Sequence, residues 1–333
     1  MQRSKAWKVA IGLQDVDGLM TSEYLLETAK EHIEGNIGID AAQERIRTYY
    51  QERESRKILD EDATNTKEAD IVSSRITALL GEDTFQFSPA EWQIIHRRLF
   101  TGLLEHAGEF RTYNISKKEW VLDGKSVIYA SWESIKATLD YDFDMEKQFV
   151  YDDLPLQEAV RHIAKFTSDI WQIHPFGEGN TRSTAVFMIK YLKTFGFPVS
   201  NDVFAENAWY FRNALVRANY NDYTQNISAT TEFLERFYEN MLMGAEYDLK
   251  NRNLHIQSAI AKAPKCQNGT LECTLEELAV LDHIKNNPHI TQKELAEKTG
   301  KSERTIKRLT VSMQEKGLIV RQGGRRNGRW EIT

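Results

Sequence analysis

Cysteine and long apolar runs are both scarce in this chain, and each shortage excludes a class of protein. The 333 residues include only 2 cysteines, Cys266 and Cys273. Their spacing fits no standard zinc pattern, and a disulfide framework needs more of them. No stretch approaches the roughly 18 consecutive apolar residues of a membrane-spanning helix, and residues 1–14 lack the extended hydrophobic segment of a signal peptide. The sequence therefore predicts a reduced, cytoplasmic protein with no membrane contact.

Proline and glycine are also few, at 6 and 18 residues, and long stretches have apolar positions at helical spacing. The chain is long enough for two or three domains. A net charge of -6 argues against a protein whose whole surface binds nucleic acid, although one basic domain is compatible with it. These features predict a mainly α protein.

Changes in pattern divide the chain into four parts. They are an N-terminal helical region (1–69), a central helical domain (70–255), a linker containing Pro, Gly and Asn (256–273), and a C-terminal domain (274–333). In the first part, a charged stretch around Leu59–Asp70 with Asp, Asn and Thr is typical of a loop. A long helical run is expected over 203–245.

Residues 119–130 (EWVLDGKSVIYA) carry the clearest β signal of the first 260 residues. Two β-prone runs flank Asp123–Gly124, and Asp-Gly is a strong short-range signal for a two-residue hairpin turn. The sequence predicts a β-hairpin at this point.

The string HPFGEGNTR, residues 174–182, has the composition of an anion-binding turn. Pro175 prevents the preceding helix from continuing, while Gly177 and Gly179 permit a tight turn close to a ligand. The next helix begins near Asn180, so its free N–H groups and its dipole point into the turn.

Charged side chains in the same string complete a site for phosphoryl or nucleotidyl transfer. Arg182 adds a fork for phosphate oxygens. Glu178 would repel an anion on its own, and its presence makes sense if it holds a divalent metal. His174 titrates near neutral pH and stands beside the anion site as a general base.

The string resembles the signature of Fic proteins, roughly H-P-F-x-(D/E)-G-N-(G/K)-R-x-x-R. Residues 106–111 (HAGEFR), the hairpin at 119–130 and residues 206–223 resemble the segments around that signature, so the resemblance spans most of 70–255. It implies a Fic-type helical bundle with a β-hairpin flap.

The resemblance implies transfer of AMP from ATP, with Mg²⁺, to a Ser, Thr or Tyr hydroxyl of a target protein. His174 would deprotonate the hydroxyl that attacks the α-phosphorus, and Glu178 would ligate Mg²⁺. The target segment would add to the flap as a strand, main chain to main chain. The nucleotide would be bound by Phe176, Gly177, Gly179, Asn180, Thr181, Arg182, Asn207 and Tyr210, with Phe176 anchoring the loop in the core.

Two positions depart from the family signature. Thr181 replaces Gly or Lys, and Ala185 replaces the second arginine. In the family, that arginine grips the γ-phosphate and pairs with a glutamate on an inhibitory helix of pattern (S/T)-x-x-x-E-(G/N). Ser73 and Ser74 match the start of such a helix, but Thr77 stands at the glutamate position. The sequence predicts that this glutamate clamp is lost.

The C-terminal part has the layout of a winged helix-turn-helix: three helices (Leu275–Asn287, Thr291–Thr299, Ser302–Lys316) and two β-prone runs. It resembles the winged helix of bacterial transcription regulators, which implies binding of double-stranded DNA through 274–333. Protein binding is the alternative for this module. The DNA-contacting residues would be Arg304, Lys307 and Arg308 on the third helix, and Arg325 and Arg326 in the wing.

Alternatives stay open at the level of function. The signature fixes an anion site and a base but not the transferred group, which could be UMP, GMP, phosphocholine or a phosphate. In a different class, the Fic domain would sense a nucleotide without turnover inside a transcription regulator. The target protein, the DNA site and the oligomeric state, including a homodimer, are not specified by the sequence.

Overall fold

The computed structural model describes residues 2–56, 61–195, 202–258, 275–299, 301–323 and 328–332. The chain divides into two compact units, Met1–Ile260 and Ala261–Thr333. Helices dominate both units, as the sequence predicts. None of the helices in these ranges is long and apolar enough to cross a membrane. Cys266 and Cys273 lie outside the described residues.

The described helices of the first unit are α1 (Gln2–Gly12), α2 (Glu23–Glu34), α3 (Ile39–Ser55), α4 (Glu61–Gly81), α5 (Pro89–Phe100), α6 (Ile135–Gln148), α7 (Leu156–Ile173), α8 (Asn180–Thr194), α9 (Asp202–Ala218) and α10 (Glu232–Met243). Single turns of 3-10 helix occur at Leu13–Asp17, Trp120–Leu122, Trp132–Ser134, Tyr223–Gln225 and Asn251–Asn253. The run predicted over 203–245 is therefore two helices separated by a turn.

Helix α8 lies at the centre of the first unit and is buried from Asn180 to Leu192. Phe187, at its middle, contacts the rings of Phe85, Trp92 and Phe143. Burying one large apolar side chain contributes about 1.5–3 kcal/mol. Packing along the whole helix fixes the position of α8, including its N-terminal end.

Helix α1 packs into the same core, an arrangement that the sequence alone did not predict. Val9 and Ala10 are fully buried. At Gly12, an added Cβ would lie 2.1 Å from the carbonyl oxygen of Ala205, so α1 and α9 approach each other through backbone. The 3-10 turn Leu13–Asp17 then follows α1 directly and contacts α8 and α9.

The loop predicted at Leu59–Asp70 is wrong from Glu61 onward, because α4 begins there, while Leu59 and Asp60 lie outside the described residues. Asp70 is buried and accepts hydrogen bonds from Ser22 and from the hydroxyl of Tyr50, at 2.7 Å. These tertiary contacts with α2 and α3 stabilise a helix in a polar segment whose local propensity favours turns.

The β-hairpin predicted at 119–130 is also wrong as a two-stranded ladder. The turn itself forms as expected, since Asp123 and Gly124 both have positive φ, at 58° and 81°. Before it, Val121 and Leu122 are both fully buried. Adjacent side chains of a strand point to opposite faces, so the chain coils into the 3-10 turn Trp120–Leu122 to bury both. We keep the name flap for residues 119–130.

The second unit contains α11 (Leu275–Asn286), α12 (Gln292–Thr299), α13 (Glu303–Glu315), β1 (Ile319–Gln322) and β2 (Arg329–Ile332). The two strands pair antiparallel, with Ile319 opposite Ile332. Ser302 caps α13 by accepting from the Thr305 N–H, as predicted. The second unit has its own hydrophobic core, which includes Ile284, Leu295, Ile306, Met313 and Trp330.

Candidate active site

The candidate site is the connection between α7 and α8, residues 174–179. His174 ends α7 in the left-handed region, with φ 50° and ψ 58°. Gly179 precedes α8 with φ 72°, and an added Cβ there would lie 2.4 Å from the Phe100 ring. Only glycine fits this second position without a clash. The positive φ angles at His174 and Gly179 turn the chain twice within six residues. The His174 ring and the first turn of α8 therefore lie at the two ends of one short loop.

His174 has the protonation state that a general base needs. Its Nδ1–H donates to the Trp171 carbonyl at 3.1 Å, which leaves Nε2 with a lone pair and no partner among the described residues. The ring lies 4.2 Å from the Tyr129 ring, centroid to centroid. Burial, and then the charge of Lys117, lower the pKa of His174 well below its usual value. The imidazole is therefore neutral at physiological pH.

The side chains of Phe176, Asn180 and Thr181 shape the loop. Phe176 is fully buried and stacks on His96 with ring centroids 3.8 Å apart, so it anchors the loop as predicted. The Asn180 amide donates to the Phe176 carbonyl at 2.8 Å and accepts from its N–H at 3.0 Å. Thr181 accepts a hydrogen bond from the indole of Trp171 at 3.0 Å. These three side chains therefore make their contacts within the protein and stabilise the loop.

The main chain is what the loop offers to an anion. Within the described part of the chain, the backbone N–H groups of 177–182 have no acceptor. They come from the glycine-containing turn and the first turn of α8, where the helix dipole is positive. A phosphate would satisfy these donors.

Glu178 is the candidate metal ligand. Its side chain is exposed, lines a cavity of about 400 Å³, and makes no hydrogen bond or ion pair with the described residues. Among those residues, no group of three His, Cys, Asp or Glu side chains could hold a metal by itself. Mg²⁺ commonly uses one or two carboxylates together with substrate phosphates, and one free carboxylate beside an anion site fits that mode.

His96 stabilises the 174–179 loop through a hydrogen bond to its main chain. It accepts from the Gly108 N–H at Nδ1 (2.9 Å), so Nε2–H donates to the Glu178 carbonyl at 2.8 Å. Burial lowers the pKa of His96 to about 4. Nothing local in the sequence connects this histidine to a loop 82 residues away.

His96→Gln should make folding less sensitive to acid. With a native pKa of about 4 against an ordinary 6.5, the unfolded ring takes up its proton first. The contribution of His96 is present above pH 6.5 and is lost as the pH falls toward 4, by up to about 1.4 kcal/mol per pH unit. Urea unfolding at about pH 7 and about pH 5 measures this. Parallel losses in wild type and His96→Gln would contradict it, with exposed His106→Gln as the control.

Arg111 ties the flap to the end of α7. The buried guanidinium donates to the carbonyls of His174 (2.8 Å), Tyr113 (2.6 Å) and Ala130 (2.5 Å). Its own N–H donates to the Pro175 carbonyl at 2.8 Å. Arg111 therefore positions the His174 backbone.

Arg182 is held by two acids from the N-terminal region. Its Nη2 donates to Glu68 of α4 at 2.6 Å, and Asp17 lies 2.7 Å from Nε as an ion pair. Gln14 accepts from Nη1 at 3.1 Å, and the Phe100 ring lies 4.8 Å below the guanidinium carbon. The arginine predicted to grip phosphate is therefore occupied by carboxylates, which we call the acid clamp.

Asp17 also reaches a second arginine. It lies 3.7 Å from Arg212, whose Nη2 donates to buried Glu119 of the flap at 3.0 Å. Burial raises the pKa of Glu119, and Arg212 opposes that shift. The 3-10 turn Leu13–Asp17 thus connects α8, α9 and the flap through charge.

The other predicted site residues lie elsewhere. Asn207 marks a kink in α9 and its amide donates to the Val203 carbonyl, while Tyr210 is buried in the hydrophobic core. Ser73 and Ser74 are buried on α4 and donate to the carbonyls of Ala10 and Ile71. Neither serine contacts Arg182. Ala185, at the position of the second signature arginine, is buried in the core.

In the second unit, Arg304, Lys307 and Arg308 are exposed on α13. None of the three has an ion pair with the described residues. The spacing places them on one face of the helix, as predicted. Arg325 and Arg326 lie outside the described residues.

Residues 86–192 match the Fic/DOC family, and residues 277–320 match the family described as winged helix-turn-helix DNA-binding. The protein adenylyltransferase VbhT of Bartonella schoenbuchensis is 25% identical over 199 residues, which cover 56% of this chain. The match spans only 40% of that relative's length.

Two solved structures are similar at low identity. The N-terminal Fic domain of an effector protein from Bartonella sp. AR 15-3 aligns with a TM-score of 0.43 and 18% identity, over 55% of this chain and 83% of that one. A Fic family protein from Desulfovibrio desulfuricans G20 aligns with a TM-score of 0.45 and 14% identity, over 99% of this chain and 87% of that one. By the family models, the chain contains a Fic/DOC domain at residues 86–192 and a winged helix-turn-helix at residues 277–320.

Proposed function

We propose that this protein transfers AMP from ATP to a Ser, Thr or Tyr hydroxyl of a target protein. One observation carries the proposal: the neutral, buried His174 lies on the same loop as the N–H groups of 177–182, and neither its Nε2 nor these groups have a partner among the described residues. A base beside a phosphate-binding turn is the minimum that nucleotidyl transfer requires. AMP labelling with His174→Ala as the diagnostic variant tests it.

In the proposed step, His174 Nε2 accepts the proton of the target hydroxyl. The hydroxyl oxygen forms a bond to the α-phosphorus, and the bond from that phosphorus to the bridging oxygen breaks, so pyrophosphate leaves. The N–H groups of 177–182 stabilise the charge on the non-bridging α-phosphate oxygens. Arg111 holds the His174 backbone in place through its carbonyl.

Phosphate binding would draw on two further side chains. Arg182 binds the outer phosphates once the acid clamp is released. Glu178 would hold Mg²⁺, which when bound neutralises phosphate charge. The proposal does not rest on a second signature arginine, because Ala185 lies in the core.

Glu178→Gln should raise the Mg²⁺ concentration needed for half-maximal labelling by about tenfold, because it removes the free carboxylate ligand. Folding should not change, since the side chain is exposed and unpaired among the described residues. Labelling rates across a Mg²⁺ titration give the comparison. Glu109→Gln, a second exposed acid on the same cavity, is the matched control. Identical Mg²⁺ dependence in Glu178→Gln and wild type would remove Glu178 from the site.

A target segment would dock on the flap by strand addition. Residues 127–130 lie outside helices and turns, and within the described residues their main-chain N–H groups have no acceptor. Ile128 points outward with 84% of its surface exposed, while Val127 and Tyr129 are buried. A target strand would pair with this main chain, and Ile128 is the side chain available to it.

The acid clamp would keep the enzyme restrained. Glu68 and Asp17 occupy the guanidinium that would otherwise bind phosphate. Their negative charges also repel an incoming phosphate. Thr77 stands at the position of the family's glutamate, but other acids reach the remaining arginine.

We further propose that the second unit binds double-stranded DNA through α13, whose exposed Arg304, Lys307 and Arg308 share one face. Arg325 and Arg326 are expected to contact phosphates. Control of transcription by the same chain would follow. Docking of another protein on this unit is the competing interpretation.

Arg308→Ala should weaken binding to a preferred DNA sequence by about 1–3 kcal/mol and relax sequence preference. Wild-type affinity should fall steeply with salt because each phosphate contact releases counterions. Selection of bound sequences from a random duplex pool, followed by titration of the full chain, measures both. Lys285→Ala on α11 is the charge-matched control. A folded protein that binds no duplex at low salt would favour the protein-docking interpretation.

A further inference from the structure

A cavity of about 610 Å³ lies between the N-terminal helices and the ends of α4 and α5. Among the residues that line it, none belongs to the 174–182 loop. Its volume is within the range of small-molecule sites, about 300–1,000 Å³. The lining includes three arginines, Arg3, Arg75 and Arg98, so the cavity differs from a packing defect in a hydrophobic core.

Arg75 of α4 is the main cation of this cavity. Its Nη1 donates to the Leu99 carbonyl at 2.8 Å, and no carboxylate pairs with it among the described residues. Its Nε and Nη2 have no acceptor among the described residues. Burial lowers the pKa of Arg75, which reflects the cost of a partly buried charge without a counter-ion.

Arg3 of α1 repeats the pattern. It donates from Nη1 to the His32 carbonyl at 3.0 Å and has no acid partner in the described part of the chain. Arg98, by contrast, is neutralised by a bidentate pair with Glu82. Two of the three arginines on the cavity therefore have no counter-ion in the part of the chain that the structure describes.

His32 adds a fixed donor. The Trp7 indole donates to its Nδ1 at 2.9 Å, so in the neutral ring Nε2 carries the hydrogen. The side chain is 6% exposed, and Nε2–H has no acceptor among the described residues. An N–H on the wall of a cavity can donate to an acceptor of a bound ligand.

The same cavity also has acceptors. Asp40 is exposed and makes no hydrogen bond or ion pair with the described residues. Gln43 donates to the Ser74 carbonyl at 3.3 Å and keeps its amide oxygen for another donor. A ligand that satisfies the whole lining must carry both negative charge and hydrogen-bond donors.

We infer that this cavity binds a small organic dianion, a phosphate monoester or a dicarboxylate, whose charge lies on Arg75, Arg3 and His32. Two planar guanidinium forks suit phosphate and carboxylate oxygens equally. Hydroxyl or amino groups of the same ligand donate to Asp40 and Gln43. The site is separate from AMP transfer, because it shares no residue with the catalytic loop.

Ribose 5-phosphate and succinate serve as probes in calorimetric titrations of the full chain. Binding of either probe supports the site, and the one that binds identifies the anion class. Arg75→Lys keeps the charge but loses the fork, and should weaken binding about tenfold or more. Arg3→Ala should do the same and, being exposed, stays informative if Arg75→Lys does not fold. Arg47→Ala, a surface arginine paired with Glu44, should bind as wild type does.

Arg182→Gln distinguishes this cavity from the catalytic loop and should leave probe affinity unchanged. The absence of saturable binding of both probes at about millimolar concentration would overturn the inference. So would binding that Arg182→Gln abolishes and Arg75→Lys and Arg3→Ala leave intact. Neither result tests AMP transfer, which is measured separately by the labelling of protein with AMP.

Discussion

The double replacement Asp17→Asn and Glu68→Gln should raise AMP transfer by about tenfold or more. The two carboxylates hold Arg182 in a buried site, where its side chain is only 3% exposed. A hydrogen bond to a charged group is worth about 1.5–3 kcal/mol, and 1.4 kcal/mol is a factor of ten in binding. The amides keep the shape of the clamp but neither its charge nor its repulsion of phosphate. Initial rates of AMP incorporation measure the release.

Two variants control for general effects of charge and packing. Glu31→Gln breaks an exposed ion pair with Arg45 in the same helical region and should leave the rate unchanged. Thr77→Ala alters α4 at the position where the family's glutamate would stand, and it should release no hidden activity. A folded double variant that transfers AMP no faster than wild type would show that the acid clamp does not restrain Arg182.

Replacing His174 with alanine should lower AMP transfer by about 10²–10⁴-fold in both the wild-type and the clamp-released backgrounds. Loss of the imidazole removes the acceptor for the target's proton, whereas the N–H groups of 177–182 and Arg182 remain. ATP binding should therefore persist. Labelling rates and ATP affinity, measured on the same preparations, separate the two effects.

His174→Asn guards against misfolding in this test. His174 has φ 50°, and asparagine tolerates the left-handed region better than alanine does. Both variants should lose transfer to a similar extent, while His289→Ala in the second unit should retain it. An alanine variant that labels as fast as wild type would show that His174 is not the base.

The candidate site was predictable where its parts are neighbours in sequence. His174, Gly177, Gly179 and Asn180 belong to one string whose turn, helix start and free N–H groups follow from local rules. The caps of the second unit were equally local: Thr291 accepts from the Glu294 N–H, and Glu294 accepts from the Thr291 N–H.

The remainder depends on long-range contacts that have no local signal. Arg182 and Glu68 are 114 residues apart, and no spacing rule connects them or predicts Asp17 beside them. The flap shows the same limit. Asp123–Gly124 set the turn, but the burial of both Val121 and Leu122 in the core replaced the first strand with a 3-10 turn. The segment after Glu61 is helical because Asp70 bonds to Ser22 and Tyr50.

Mass spectrometry of the clamp-released protein, incubated with Mg²⁺ and with ATP, GTP, CTP or UTP separately, tests the central claim most directly. We expect ATP to add the mass of one AMP to a Ser, Thr or Tyr side chain, on the protein itself or on an added target. The His174→Ala protein should gain no such mass. Addition of a phosphate alone, of a different nucleotide, or of nothing despite tight ATP binding would contradict AMP transfer, and the last result would favour a nucleotide sensor.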